Sequence, residues 1–218
     1  MNNRTYFYKR GSKTFREEFL VIKNIVGKGK RVLDLGCGDG SLMQILIEEG
    51  NKCKGVEISP SGVSVCKEKG LDVLRGRIDK RLPFKDKSFD FAICNTTMQM
   101  TMYPEVLVKE MVRVSRRQII TFPNFAFILN RIDLLLNGRF PRWSLFGYDW
   151  YTTGQIHQLS IKDFEDFCSN YNLKIRKVYY LFPTSFIRKL VSKYVFVYNL
   201  LSKFSNLFAT MAVFDLGG

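Results

Sequence analysis

A single histidine, His157, serves the whole chain, and the five cysteines at 37, 53, 66, 94 and 168 form no C-x-x-C pair. One imidazole and unclustered thiols supply no zinc ligand set. An odd number of scattered cysteines reads as the reduced thiols of a cytoplasmic protein rather than a disulfide framework. Long apolar runs are also missing. A membrane span asks for roughly 18 such residues. The uncharged windows 118–130 and 204–214 are shorter, and the first is broken by Pro123. The opening MNNRTYFYKRGSK has no apolar signal core. Acid is absent from residues 167–214, which hold seven Lys or Arg among a dozen aromatics, in a chain whose formal net charge is +14. That basic third is either a solvated face or a surface for an anionic partner. The contact region would be 174–203, and RNA or a membrane surface would be its target.

What remains is enough for one α/β domain. The chain has 218 residues, of which 46% are hydrophobic, so it can bury a core without staples. Alternating β and helical patterns run from residue 31 without linker or repeat. Apolar strands are expected at 31–35, 52–57, 71–74, 89–94 and 118–122. Between them, Ser41 with Gln44 reads as a capping box, Ser59-Pro60 as a helix start closing at Gly70, and Pro104 as a third helix start. Strand and helix in close succession mean a parallel sheet covered on both faces. After residue 124 the rhythm changes to a Phe-rich segment and an aromatic loop, then a helix capped at Ser160, a strand near 174–181 and a final strand at 209–216. Residues 1–30 read as a helical lead-in. Residues 182–208 read as an amphipathic connection with Phe186, Ile187, Leu190, Val191 and Tyr194 on one face.

The strongest local signal is RVLDLGCGDG at 31–40. A buried strand ends in an acid and is followed by Gly36, Gly38 and Gly40, which let the backbone turn sharply and approach a ligand. A second acid, Glu57, ends the next strand, where a carboxylate can accept both hydroxyls of a ribose. An adenosine-bearing cofactor is therefore expected. The spacing G-x-G-x-G, with Asp34 before the first glycine, would repel a pyrophosphate but suits a ligand carrying an ammonium and a sulfonium. That favours S-adenosylmethionine over a dinucleotide.

With that loop, the chain resembles the class I S-adenosylmethionine-dependent methyltransferases. Within them it is similar to the MetW family of methionine biosynthesis. The closer match lies in GVEISPSGVSVCKEKGLDV (55–73), PFKDKSFDFAICNTTMQM (83–100), TFPNFAFILNRIDLLLNGRFP (121–141), YDWYTTGQIHQLSIKDFEDFC (148–168) and NLFATMAVF (206–214). The resemblance implies a Rossmann-like α/β fold: a mostly parallel seven-stranded sheet with helices on both faces and an antiparallel last strand. It implies one cofactor-binding domain over 1–218, with 125–160 as a substrate-side lid or insertion. Asp34, Gly36, Cys37, Gly38 and Gly40 would surround the cofactor's amino-acid end. Glu57 would hold the ribose, Ile58 would pack on adenine, and Asn95 would follow strand four. One departure stands out. An acid is often found directly after the glycine of strand three, and here the order is Gly76-Arg77-Ile78-Asp79. Either Asp79 substitutes from two residues on, or backbone alone holds the adenine.

Methyl transfer from a sulfonium needs positioning, partial exclusion of water and an acceptor for a proton. Candidates are Asn124 after strand five, and Tyr151 and His157 in the loop GYDWYTTGQIHQLSIKDF (147–164), where Tyr148, Asp149 and Trp150 would help to form a lid. Asn124 could equally bond to backbone in its turn, and His157 could bond to backbone near Ser160. Gln99 reads as a solvated residue. Phe122, Phe125, Phe127, Ile128 and Leu135 read as core or lid packing. Strand four is followed by Asn-Thr-Thr-Met, not the Pro-Pro-aromatic run of base-amine methyltransferases, and there is no Pro-Cys pair for cytosine C5 chemistry. The expected function is therefore methylation of a small molecule, linked to methionine biosynthesis. The alternative is a cofactor-binding partner of a homoserine O-acyltransferase.

Overall fold

The computed structural model describes residues 7–9, 11, 14–145, 149–183, 199 and 201–217. The apolar face expected over 186–194, and Tyr148, lie outside these residues.

Helix α1 (Glu17–Val26) is followed by β1 (Arg31–Leu35), α2 (Ser41–Glu48), β2 (Lys52–Glu57), α3 (Pro60–Glu68), β3 (Val73–Arg75) and β4 (Phe89–Asn95). A 3-10 turn (Met98–Met100) leads to α4 (Pro104–Val114), β5 (Ser115–Pro123), α5 (Ile128–Asn137), α6 (Ile161–Asn170), β6 (Ile175–Leu181), a short α7 (Ser205–Phe208) and β7 (Met211–Leu216). The strands form one seven-stranded sheet in the order β3-β2-β1-β4-β5-β7-β6. The pairs among β1 to β5 are parallel. β7 is antiparallel to both β5 and β6, so the last strand is inserted between its predecessors and is not added at the edge.

The two faces of the sheet are read from alternate residues of each strand. On one face Leu33, Leu35, Ala92, Cys94, Ile120, Phe122 and Phe214 pack with Leu107 and Met111 of α4 and with Phe164 and Cys168 of α6. On the other face Val32, Phe91, Ile93, Ile119 and Val213 pack with Phe19, Ile22 and Val26 of α1 and with Leu42 and Leu46 of α2. The expected three-layer arrangement is thus present. At the centre, Phe122 lies 5.0 Å from Phe164 and 5.5 Å from Phe214 between ring centroids.

Local signals acted as expected at two helix starts. Ser59 accepts from the Gly62 amide ahead of Pro60, and Ser160 forms a complete capping box with Asp163. At α2 the expected box does not form. Gly40, in the left-handed region at φ 74°, is the cap, and Ser41 is already helical. Asp39 Oδ1 accepts from the Ser41 amide at 3.0 Å instead, and Ser41 Oγ accepts from the Thr14 amide at 2.8 Å. Among the described residues, the N-terminal lead-in is helical over Glu17–Val26. Helix α5 has inverted polarity: its buried residues are Asn130 and Asp133, while Ile132, Leu134, Leu135 and Leu136 are exposed.

Candidate functional site

Parallel strands place the glycine loop and the acid of β2 side by side. Asp34 pairs in register with Gly55, and the amides of Gly36 and Cys37 donate to Val56 O at 2.8 and 3.3 Å, which hooks the loop onto β2. Gly36 has φ 80°, and a Cβ there would run into the side chain of Thr97, so this position accepts only glycine. The loop then borders a cavity of about 470 Å³ at the carboxyl ends of β1, β2 and β4. Open α/β sheets bind ligands at that edge.

Of the expected cofactor residues, Asp34, Gly36, Cys37, Gly38, Glu57, Ile58, Asp79 and Asn95 line this cavity. Gly40 does not; it makes the turn behind the loop. Glu57 is buried, and its two oxygens accept from the amides of Gly38 (2.9 Å) and Ser59 (2.7 Å). Each oxygen keeps a further lone pair. Asp34 is 2% exposed, and burial, with help from the neighbouring charges of Glu57 and Asp39, pushes its carboxyl up to about 7. Burial also acts on Asp39, but bonds from Ser41 and Thr14 outweigh it and hold that carboxyl below the usual range. The Cys37 thiol is pushed up by its bond with Cys66 and by burial.

Arg77, the departure noted after strand three, forks onto Asp79 with Nε–Oδ1 at 2.9 Å and Nη2–Oδ2 at 2.7 Å, and the Met102 amide donates to Oδ2 at 3.0 Å. Burial raises the Asp79 carboxyl, but the fork and the amide more than offset it and hold it low. Asn95 accepts from Thr121 Oγ1 and donates to Glu18 Oε1 at 3.4 Å. Beside it, Thr96 is held at φ 48°, an unusual conformation for a β-branched residue, and its hydroxyl accepts from Arg16 Nη1 at 2.6 Å.

The catalytic candidates fall elsewhere. Asn124 is fully buried, donates to Asn206 O (3.1 Å) and Ala209 O (2.9 Å) and accepts from the Ala126 amide (3.1 Å), so its amide is spent on the turn after β5. Tyr151 is exposed, its phenol raised by a hydrogen bond with Asp149. His157 is exposed too, and its backbone amide donates to Gln99 O at 3.0 Å. None of the three is among the cavity's lining residues. The aromatic loop still contributes a wall, but through Thr153, Gly154 and Gln155. Gln99 is no solvated residue. It is completely buried, and its carbonyl, which also takes the Ile156 amide at 2.8 Å, pins that wall to the 3-10 turn. In the Phe-rich stripe, Phe122, Phe125 and Phe127 are buried as expected, whereas Leu135 is exposed.

Sequence reading missed the N-terminal contribution. Phe7, Tyr8, Thr14 and Arg16 line the cavity. The Tyr8 amide donates to Ser61 Oγ at 3.0 Å, and Thr14 Oγ1 to Asp39 Oδ2 at 2.9 Å. No periodicity or motif marks residues whose partners lie 25 to 53 positions away.

Sheet order, glycine loop and acidic cavity together define a class I S-adenosylmethionine-dependent methyltransferase fold. Solved methyltransferases share it: one from Thermotoga maritima has a TM-score of 0.61 at 20% identity over 91% of this chain and 86% of that one. One from Archaeoglobus fulgidus has a TM-score of 0.59 at 18% identity, covering 91% of each. The chain belongs to the MetW family, whose model, described as methionine biosynthesis protein MetW, matches residues 16–210. A bifunctional methionine biosynthesis protein MetXA/MetW from Rhodopirellula baltica is 33% identical over 165 residues. The match covers 71% of this chain but only 26% of that relative, so the chain spans about a quarter of its length.

Among the described residues no group of His, Cys, Asp and Glu could hold a metal ion, and no helix is long and apolar enough to cross a membrane.

Proposed function

We propose that the chain binds S-adenosylmethionine in the 470 Å³ cavity and transfers its methyl group to a small molecule in the service of methionine biosynthesis, in the cytoplasm and as a single domain. The observation that carries this reading is the Asp34–Glu57 pair around the glycine loop. Four carboxylates, Asp34, Asp39, Glu57 and Asp79, line the cavity in a chain of net charge +14. Its two arginines are turned to acids: Arg77 to Asp79, and Arg16 to within 3.9 Å of Glu18. Such a lining fits a ligand with an ammonium and a sulfonium and opposes a phosphate.

When bound, S-adenosylmethionine supplies an electrophilic methyl carbon, which leaves as the acceptor's lone pair bonds to it and the carbon–sulfur pair returns to sulfur. The chain's residues hold and orient. Glu57 would accept the ribose hydroxyls on its open lone pairs. Asp34 would face the ammonium, with the Gly36–Gly38 backbone beside the amino-acid end. Ile58 would lie against adenine, and Asp79 would offer its remaining acceptor capacity to the adenine amino group. Asn95, braced by Thr121 and Glu18, would mark the methyl-bearing end. Tyr8 and Thr153–Gln155 would restrict water.

A second reading, that the chain also serves a partner enzyme such as a homoserine O-acyltransferase, is supported by two observations. The bifunctional relative joins a MetW-like part to a larger protein. Helix α5 also presents Ile132, Leu134, Leu135 and Leu136 to solvent, an apolar face of the kind protein partners cover. Contact of the basic region 174–203 with an anionic surface would accompany either reading.

Calorimetry with S-adenosylmethionine and S-adenosylhomocysteine, followed by product detection in cell extract, separates these readings. Binding with turnover that survives His157→Ala within about twofold supports the enzyme. Binding without turnover, with co-purification of an acyltransferase lost on Leu135→Asp, supports the partner. Absence of binding sinks both.

A further inference from the structure

Helix α5 and the loop behind it are built inside out. Their polar side chains bond to one another. Asn130 Nδ2 donates to Ser144 Oγ at 2.8 Å, and Asn130 Oδ1 accepts from the Trp143 amide at 3.1 Å. Asp133 accepts from Asn137 Nδ2 at 2.9 Å and from Arg142 Nε at 3.1 Å. Asn130, Asp133 and Ser144 are buried in this network, and the apolar side chains are left outside. Ile132, Leu134, Leu135, Leu136, Phe140 and Trp143 are 42% to 82% exposed, Leu135 the most. A helix lying between core and water shows the opposite arrangement. A lone exposed leucine needs no explanation, but six large apolar groups within residues 132–143 do.

The charges of the same stretch indicate what covers it. Over 124–145 three arginines stand against one acid, Asp133, which is buried and paired with Arg142. Arg131 donates to the carbonyls of Ala126 (2.6 Å) and Asn206 (3.3 Å), which are neutral and leave its charge in place. The stretch is therefore net positive. Where Trp143 borders α1, Arg16 stands with Glu17 and Glu18, so the basic excess lies on the α5 side, and the chain's net charge of +14 adds attraction at longer range.

We propose that α5 and its loop are a membrane-docking element for an anionic bilayer: the leucines, Phe140 and Trp143 enter the boundary between headgroups and acyl chains, and Arg131, Arg139 and Arg142 meet lipid phosphates. Arginine beside an apolar helix keeps its stem in the apolar layer and its guanidinium at the phosphates. An indole with one wet edge suits the same boundary. RNA would engage the arginines but offers the leucines no seat, and a protein groove would seat the leucines without calling for an excess of arginine. Helix α5 follows β5, whose carboxyl end lies on the same edge of the parallel strands as the cofactor cavity. Docking holds that edge against the membrane. The contact does not depend on the methyl-transfer reading, because it is read without cofactor.

The test is binding of the full-length Trp150→Phe protein, in which Trp143 is the remaining indole of the two, to vesicles. One set is phosphatidylcholine alone, and the other contains about 30% phosphatidylglycerol. The protein should co-sediment with the mixed vesicles, and Trp143 emission should shift to the blue and be quenched by lipids brominated in their acyl chains. Affinity should fall at least about tenfold without phosphatidylglycerol, and severalfold at about 0.5 M salt. Leu135→Ser combined with Leu136→Ser should weaken binding at least about tenfold. Both side chains are exposed, so the unfolding midpoint and the S-adenosylhomocysteine Kd should stay as in the parent. Should that pair aggregate, Arg139→Glu should still weaken binding severalfold. The proposal is overturned if the mixed vesicles are not bound, if binding survives the leucine changes, or if Trp143 stays unquenched. A homoserine O-acyltransferase captured through the same leucines, or a dimer in light scattering lost with them, in a chain that ignores vesicles, would give the face to a protein and overturn the proposal too.

Discussion

Asp34 shows what a single residue owes to its neighbours. In isolation its carboxyl would titrate at 3.8, but burial beside Glu57 and Asp39 moves it to about 7. Lys69 gives its ammonium to Asp39 O at 2.8 Å. The folded carboxyl binds its proton more tightly than the unfolded one. The ligand-free protein should therefore lose stability as pH rises from about 4 to about 7. A ligand ammonium favours the carboxylate, so binding below pH 7 must displace that proton. S-adenosylhomocysteine affinity should then rise by up to about tenfold per pH unit below 7 and level off above it. Asp34→Asn should lower the affinity and flatten this slope, which calorimetry between pH 5.5 and 8.5 would read. A profile equally steep in Asp34→Asn would assign the titration to another group.

At the scale of elements, core strands and the N-terminal segment divide the work. Phe122 in β5 fills the contact with α6 and β7, so Phe122→Ala should cost about 3–5 kcal/mol in chemical denaturation. Tyr8 touches the glycine loop and α3 from outside the core. Tyr8→Ala should therefore weaken S-adenosylhomocysteine by roughly three- to tenfold with little change in unfolding. A large stability loss from Tyr8→Ala, with affinity intact, would remove the covering role from this segment. The sequence marked β5 clearly because its apolar residues run together. It did not mark Phe7, Tyr8, Thr14 and Arg16, because side chains that cover a cavity need no periodicity.

For the molecule as a whole, cofactor and fold are coupled by mass action. A ligand present at about 100 times its Kd adds about 2.7 kcal/mol to stability. In a chain of this size that should lift the melting temperature by roughly 5–11 °C. A thermal shift series with S-adenosylhomocysteine would check it, and a flat series up to millimolar ligand would contradict the cavity assignment. The same coupling predicts a smaller shift for Asp34→Asn and an undiminished one for His157→Ala.

The amino-acid sequence by itself determined the strand–glycine turn–helix, the acid ending β2, the starts of α3, α4 and α6, and membership of the family. These rest on short-range rules: backbone freedom at glycine, hydroxyl caps, proline at a first helical turn, and apolar runs buried on both faces of a parallel sheet. Only the tertiary structure decided which polar residues face a cavity. Asn124 could by its sequence either orient a substrate or bond to backbone in its turn, and the carbonyls of Asn206 and Ala209 claim its amide. His157 lies in the family's distinctive loop, yet that loop lines the cavity with Thr153, Gly154 and Gln155. Glu18 reads in sequence as one of two acids in a helix's first turn, and only the packing of α1 across β4 buries it beside Asn95. A hydrogen bond or a desolvated charge depends on partners far along the chain, and no local pattern of residues records where those partners will be.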